Sequence, residues 1–299
     1  MQSFSRGWSF LQQAWTMAFK DKDLIQPSVY ALIAGMIVSV IGIIPLGAAV
    51  LIFGTEGIVA QVILGVLSAA LVFAQFVVSY VFSAMTVYLI YGYLSEGDGR
   101  MDKAWNVVKR DFFDLLTLAA VSTLVNVLRK MTKKNQRSGI AVSLARAATG
   151  ALEALWTEAS LLVLPAMVID DLNLKDGMAR VLKITRKNLL LIGISTVGVG
   201  WVTGLIGFAL GVIGAALGFG TGYGLMLVLG SETLGIVVGV VVGALIFFAF
   251  VMVASVISSY TRTAYHTCLY IWARETEKAR AEGQSAAVLA PAPLAAVLG

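Results

Sequence analysis

The chain has 299 residues, 59% of them hydrophobic and 13% charged, with 22 Lys and Arg against 17 Asp and Glu and a mean hydropathy of +0.87. That is too apolar for a soluble domain of this length, and it sets the class as an all-α polytopic integral membrane protein. One cysteine, Cys268, excludes an internal disulfide, and one histidine, His266, argues against a histidine-built metal site within one chain, so no cofactor or metal is expected.

The net charge of +5 reads as loops facing anionic lipid rather than as a nucleic-acid surface. Residues 1–27 place Phe4, Trp8, Leu11, Trp15 and Phe19 on one helical face, beside Arg6, Lys20 and Lys22. Such an amphipathic helix lies in the membrane interface or packs on the protein's own surface, and Trp8 and Trp15 suit the headgroup level as anchors. Pro27 opens the first span, about residues 28–53, because proline is tolerated in a first helical turn; Pro45 is expected to kink its far end. The loop 54–57 is a tight return into a second run, 58–94. That run is too long for a ~30 Å hydrocarbon core, so it tilts or protrudes and carries Tyr88, Tyr91 and Tyr93 to the interface.

Gly97-Asp98-Gly99 breaks the helix. With no preceding buried strand and no Gly-Lys-Ser/Thr ending, it is a turn and not a phosphate loop. Residues 97–111 repeat the N-terminal design with Met101, Trp105 and Val108 on one face, a second interfacial connector. The third run, 112–128, is short for a span and carries Asp114 and Asn126; Arg129, Lys130, Lys133, Lys134 and Arg137 follow. The fourth, 147–169, carries Glu153, Glu158 and Pro165 and ends at Asp170 and Asp171. Residues 171–188 read as a third basic connector.

The fifth span carries the most distinctive pattern in the chain. Gly193, Gly200, Gly204, Gly207, Gly211, Gly214 and Gly218 recur at steps that keep one helical face as bare backbone. A second stripe, Gly235, Gly239 and Gly243, lies in the sixth span, 233–259. Each interior glycine weakens a helix by roughly 0.5–1 kcal/mol against alanine, so such faces imply close packing on another helix. Residues 220–224 are expected to end the fifth span and 225–229 to dip back into the bilayer. A polar cytoplasmic helix, 261–282, and a flexible Ala/Pro tail, 283–299, complete the chain.

Six crossings within 28–260 place both termini on one side, and the distribution of Lys and Arg makes that side cytoplasmic. The basic cluster in 129–146 is the exception. A re-entrant hairpin formed by runs three and four would bring it inside without changing the parity of the chain.

Arg6-Gly7-Trp8 with Trp15, Lys20-Asp21-Lys22-Asp23-Leu24 before Pro27, Gly97 followed by Ala104-Trp105, and above all Leu164-Pro165-Ala166-Met167-Val168 with Asp170, Ala179 and Leu182-Lys183 form a pattern. It resembles an uncharacterised family of prokaryotic six-helix membrane proteins, and more distantly is similar to the membrane domain attached to some glycerophosphodiester phosphodiesterases. Where that family commonly has an aromatic or Trp-Gly pair, this chain has Asn188-Leu189. The resemblance implies a six-helix fold in a prokaryotic inner membrane and transfers no catalytic residue.

Asp114, Glu153 and Glu158 are the acids expected at membrane depth, where they either line a wet cavity or pair near the headgroups. His266 and Cys268 are two apart on a helix and face different ways, and Ser195 has no histidine base in a span. No HExxH, GxSxG or Walker loop occurs, so an enzyme is not expected. The leading expectation is a scaffold that self-associates into a homo-oligomer through its glycine faces; the alternative is a channel or transporter using Glu153 and Glu158. In a third reading the stripes only zip spans five and six together within one subunit.

Overall fold

A computed structural model describes residues 2–134, 140–229, 233–283 and 288–298. Among them the chain is helical without strands: α1 (Gln2–Lys20), a 3-10 turn (Lys22–Leu24), α2 (Gln26–Phe53), α3 (Ile58–Glu96), α4 (Met101–Arg110), α5 (Phe112–Lys134), α6 (Ile140–Asp170), α7 (Leu174–Leu229), α8 (Thr233–Ala281) and α9 (Ala292–Leu298). Six stretches of these helices, on α2, α3, α5, α6, α7 and α8, are long and apolar enough to cross a membrane. Runs three and four are each an unbroken helix, α5 and α6.

The packed core sits at one end of the bundle. It takes Leu89 and Ile90 from the C-terminal part of α3, Leu115 and Leu118 from the start of α5, Leu164 and Met167 from the end of α6, and Tyr260, Tyr265 and Tyr270 from the C-terminal half of α8. We call this the basal end. Away from it, α2, α3, α7 and α8 expose Ile44, Leu51, Val59, Phe208, Val240 and Leu245, the side chains a hydrocarbon solvent would wet.

α1 lies across the basal end on α7, α8 and α9. Its buried face is Phe10, Leu11, Ala14, Met17 and Ala18, offset from the aromatic stripe, so Trp8 and Phe19 stay exposed at the flank. Tyr260 donates to the Ala14 carbonyl at 3.0 Å, and Phe10 meets Tyr265 edge to face with centroids 5.4 Å apart. The helix therefore packs on the protein while leaving aromatic groups where lipid can reach them.

Two chain corners are built from single acids. Asp21 accepts from the Asp23 amide at 3.0 Å through Oδ1 and from the Gly99 amide at 2.8 Å through Oδ2, tying the α1–α2 corner to the α3–α4 turn. Asp171 adopts φ 54 between α6 and α7, Leu172 N–H closes on the Met167 carbonyl at 3.2 Å, and Arg110 Nε lies 3.1 Å from the Asp171 carboxylate.

Three expected boundaries are absent. The basic connector at 171–188 is the first part of α7, which starts where Asn173 Oδ1 accepts from the Asp176 amide at 3.0 Å and contains no breaker afterwards. α7 also runs on through 220–224 to Leu229, because Gly218 and Gly222 are packed against α8 and that contact outweighs glycine's weak helix propensity. The sixth span and the polar helix at 261–282 are likewise one helix, α8.

The segment read as a flexible tail carries α9. Leu294 is fully buried, α9 packs on α1 and α8, and Trp272 Nε1 donates to the Val288 carbonyl at 3.3 Å.

Candidate functional site: a cleft beside the glycine seam

Parts of the two glycine stripes meet in one seam within the chain. α7 and α8 run antiparallel, with Gly214 against Phe250, Gly218 against Gly243 and Gly222 against Gly239. A Cβ added at Gly218, Gly222, Gly239 or Gly243 would stand 2.5 or 2.6 Å from a backbone carbonyl of the facing helix. That approach is open only to glycine and brings Cα–H groups onto carbonyl oxygens. Gly235 is also buried. Gly222 belongs to the seam and not to a linker; its four-residue step from Gly218, matching the step from Gly239 to Gly243, is the signal in the sequence.

Nearer the basal end the same helix pair is closed by charge instead. Arg180 pairs with Glu277, and Lys183 Nζ lies 2.9 Å from Glu277 Oε1. Burial, the largest influence, acts to lower the pKa of the Arg180 guanidinium, but the Tyr270 hydroxyl and Glu277 together outweigh it and hold the group above its ordinary range.

Between these two closures the glycine stripe of α7 is left open. Gly200, Gly204, Gly207 and Gly211 meet nothing within 4 Å of where a Cβ would stand. Beside the stripe is an open cleft of 560 Å³ lined by Glu158 of α6, Gly200, Trp201, Gly204, Leu205 and Phe208 of α7, and Arg262 of α8. Trp201, Leu205 and Phe208 border it as largely exposed apolar side chains. Gly193 lies in the part of α7 whose side chains are outside the described residues.

The charged end of the cleft is held by His266. This ring is buried, and Nδ1 lies 2.8 Å from the Arg262 carbonyl, so Nδ1 carries a hydrogen. Nε2 faces Glu158 Oε2 at 3.4 Å. That second contact needs one more proton, either on the ring or on the carboxyl. The lone histidine is thus a positioning group for Glu158. Cys268, two residues on, is buried in the core.

The candidate acids separate. Glu153 pairs with Arg129 across α5 and α6, and it borders a smaller cavity of 80 Å³ beside Tyr80, Ser122, Asn126 and Trp156. There Ser122 Oγ meets the Tyr80 hydroxyl at 2.7 Å and accepts from Trp156 Nε1 at 2.8 Å. Glu158 faces the cleft, so the two glutamates do not share one path. Asp114 sits in the first turn of α5. Of the tryptophan anchors, Trp8 and Trp105 are exposed, whereas Trp15 is partly buried and donates to Thr261 Oγ1 at 3.3 Å.

A further polar centre shows in the sequence only as helix-ending acids. Asp170 Oδ1 lies 3.1 Å from Arg274 Nε, its Oδ2 accepts from the Tyr270 hydroxyl, and Arg180 Nε stands 3.9 Å away. It clamps the end of α6 to α7 and α8.

No family model matches the chain, and a search of curated proteins finds no match.

Proposed function

We propose that the chain is a non-enzymatic integral membrane protein whose activity resides in the cleft between α6, α7 and α8, where it holds one end of a membrane amphiphile. The observation that carries this reading is the interrupted seam. The helix pair is locked by backbone contact at 214–222 and by ions at 180–183, yet bare glycine persists at Gly200, Gly204, Gly207 and Gly211 with nothing against it. Glycine weakens a helix, and here it leaves the helix face open without serving a helix contact inside the chain. A volume of 560 Å³ falls in the range of small-molecule sites, and the cleft is polar at one end and apolar along its side. The six-helix prokaryotic family that the sequence resembles agrees with this reading in fold, and a prokaryotic inner membrane would place amphiphiles at the opening.

The test is to fill the groove. Gly204→Leu introduces a side chain into open space, and native mass spectrometry of protein released from nanodiscs counts the lipids retained. The variant should carry fewer than the parent; an equal count would sink the reading.

A second reading, self-association as a scaffold, draws on Gly207 and Gly211, whose open face a helix of another copy could cover. The same experiment counts protomers. A defined oligomer that Gly207→Leu dissociates would favour the scaffold.

A further inference from the structure

The charges at the cleft mouth are of opposite sign and sit on different helices. Arg262 on α8 is exposed to the opening, and among the described residues its guanidinium has no carboxylate within ion-pair distance. Glu158 on α6 has a side chain 54% exposed and uses Oε2 toward His266. Arg262 is therefore a fixed cation at the opening, and Glu158, which shares one proton with His266 through Oε2, turns its other oxygen, Oε1, to the same opening as an acceptor, beside Trp201, Leu205 and Phe208. A headgroup carrying only negative charge would meet Arg262 but bring no ammonium to Glu158 Oε1. A purely cationic one would meet the reverse. The complementary occupant carries a phosphate and an ammonium a few bonds apart on an acyl glycerol.

Of the zwitterionic headgroups, a primary ammonium has three N–H donors for Glu158, whereas a quaternary ammonium has none. From this we infer that the cleft selects a phospholipid with a primary-amine headgroup, phosphatidylethanolamine in chemical class. Its phosphate lies on Arg262, its ammonium on Glu158 and its first chain segments along Trp201, Leu205 and Phe208. His266 holds the glutamate in place from behind. This assignment rests on the amphiphile reading of the cleft and adds the class of occupant.

The experiment uses the full chain in nanodiscs of equimolar phosphatidylethanolamine, phosphatidylcholine and phosphatidylglycerol, with native mass spectrometry of the lipids that stay bound. The parent protein should retain phosphatidylethanolamine about threefold above its bulk share. Glu158→Gln should remove the preference over phosphatidylcholine. Arg262→Gln should lower retention of all three lipids. Thermal melting of each variant checks its fold, and Gly204→Leu supplies a change that touches neither charge. If retention in the parent follows the bulk composition or favours phosphatidylglycerol while Gly204→Leu still lowers it, the headgroup assignment is overturned and the cleft stands. Should Gly204→Leu leave retention unchanged, the amphiphile reading fails and the assignment falls with it.

Discussion

Gly218 and Gly243 stand back to back: a Cβ built on Gly218 would lie 2.5 Å from the Gly243 carbonyl oxygen, and one on Gly243 would lie 2.6 Å from that of Gly218. Because both obstacles are backbone, no side-chain rotation relieves the clash. Gly218→Ala should therefore destabilise the protein by about 1–3 kcal/mol, although alanine is the better helix former. Gly207→Ala, on the same stripe but in open space, should be neutral or stabilising by roughly 0.5–1 kcal/mol. Thermal melts of the two variants in one detergent would show opposite signs. Two equal shifts would mean that the seam is not formed as described.

Asp21 joins the α1–α2 corner to the α3–α4 turn through a single carboxylate. Asp21→Ala removes the acceptor for the Asp23 and Gly99 amides together, and loss of two such partners in a part-buried corner should cost about 1–3 kcal/mol. Gly99→Ala acts on the same contact from the other side, since its Cβ would stand 2.8 Å from Asp21 Oδ2. Hydrogen exchange at the Gly99 amide should accelerate in Asp21→Ala, and exchange at the corresponding amide should accelerate in Gly99→Ala. Unchanged protection in Asp21→Ala would remove the carboxylate from the account of this corner.

Helix content and the glycine stripe were legible in the sequence because both rest on local periodicity. What the stripe faces is not local. Gly214 and Gly207 occupy the same helical face, yet one meets Phe250 and the other meets nothing, a difference set by what the fold places against each. The continuity of α7 was hidden by composition: Lys175, Arg180 and Lys183 lower the hydropathy and mimic a loop boundary, although no residue there breaks a helix. Asp170 ends an apolar run and so reads as a terminal acid; its partners Tyr270 and Arg274 come from far along the chain. For Leu294, an alanine and proline setting suggests a tail, and only the groove beside α1 gives that side chain a place to be buried. His266 could be excluded as a nucleophile's base from spacing alone, but its contact with Glu158 needed the packing of α6 on α8.

The Asp170 clamp makes a separate prediction. Its side chain is 18% exposed and lies between two guanidinium groups, Arg180 and Arg274. Asp170→Asn keeps the shape and removes the charge, leaving Arg274 without this carboxylate while Arg180 keeps Glu277. A loss of about 1–3 kcal/mol is expected, reduced from a fully buried pair because every member is partly solvated. The melting temperature of the parent should also fall more with added salt than that of Asp170→Asn. Equal salt dependence in the two proteins would show that the clamp contributes by shape alone.

Ser122 offers the sharpest single-atom test inside the bundle. Its Oγ donates to the Leu118 carbonyl at 2.9 Å, accepts from Trp156 Nε1 at 2.8 Å and lies 2.7 Å from the Tyr80 hydroxyl, joining α3, α5 and α6 at one oxygen. With its own hydrogen given to Leu118, that oxygen is the acceptor in both side-chain contacts. Ser122→Ala removes one small polar atom and leaves two donors without it, so the penalty should be about 1–3 kcal/mol, more than a surface serine would give. The change Tyr80→Phe deletes one of those donors in advance. The double variant Tyr80→Phe with Ser122→Ala should therefore lose less than the sum of the two single changes, with a coupling of about 0.5–3 kcal/mol. Strict additivity would separate the residues energetically and reduce the junction to coincidence of packing. The indole N–H resonance of Trp156 gives an independent readout, since it should shift on loss of Ser122 Oγ and stay near its parent position in Tyr80→Phe alone.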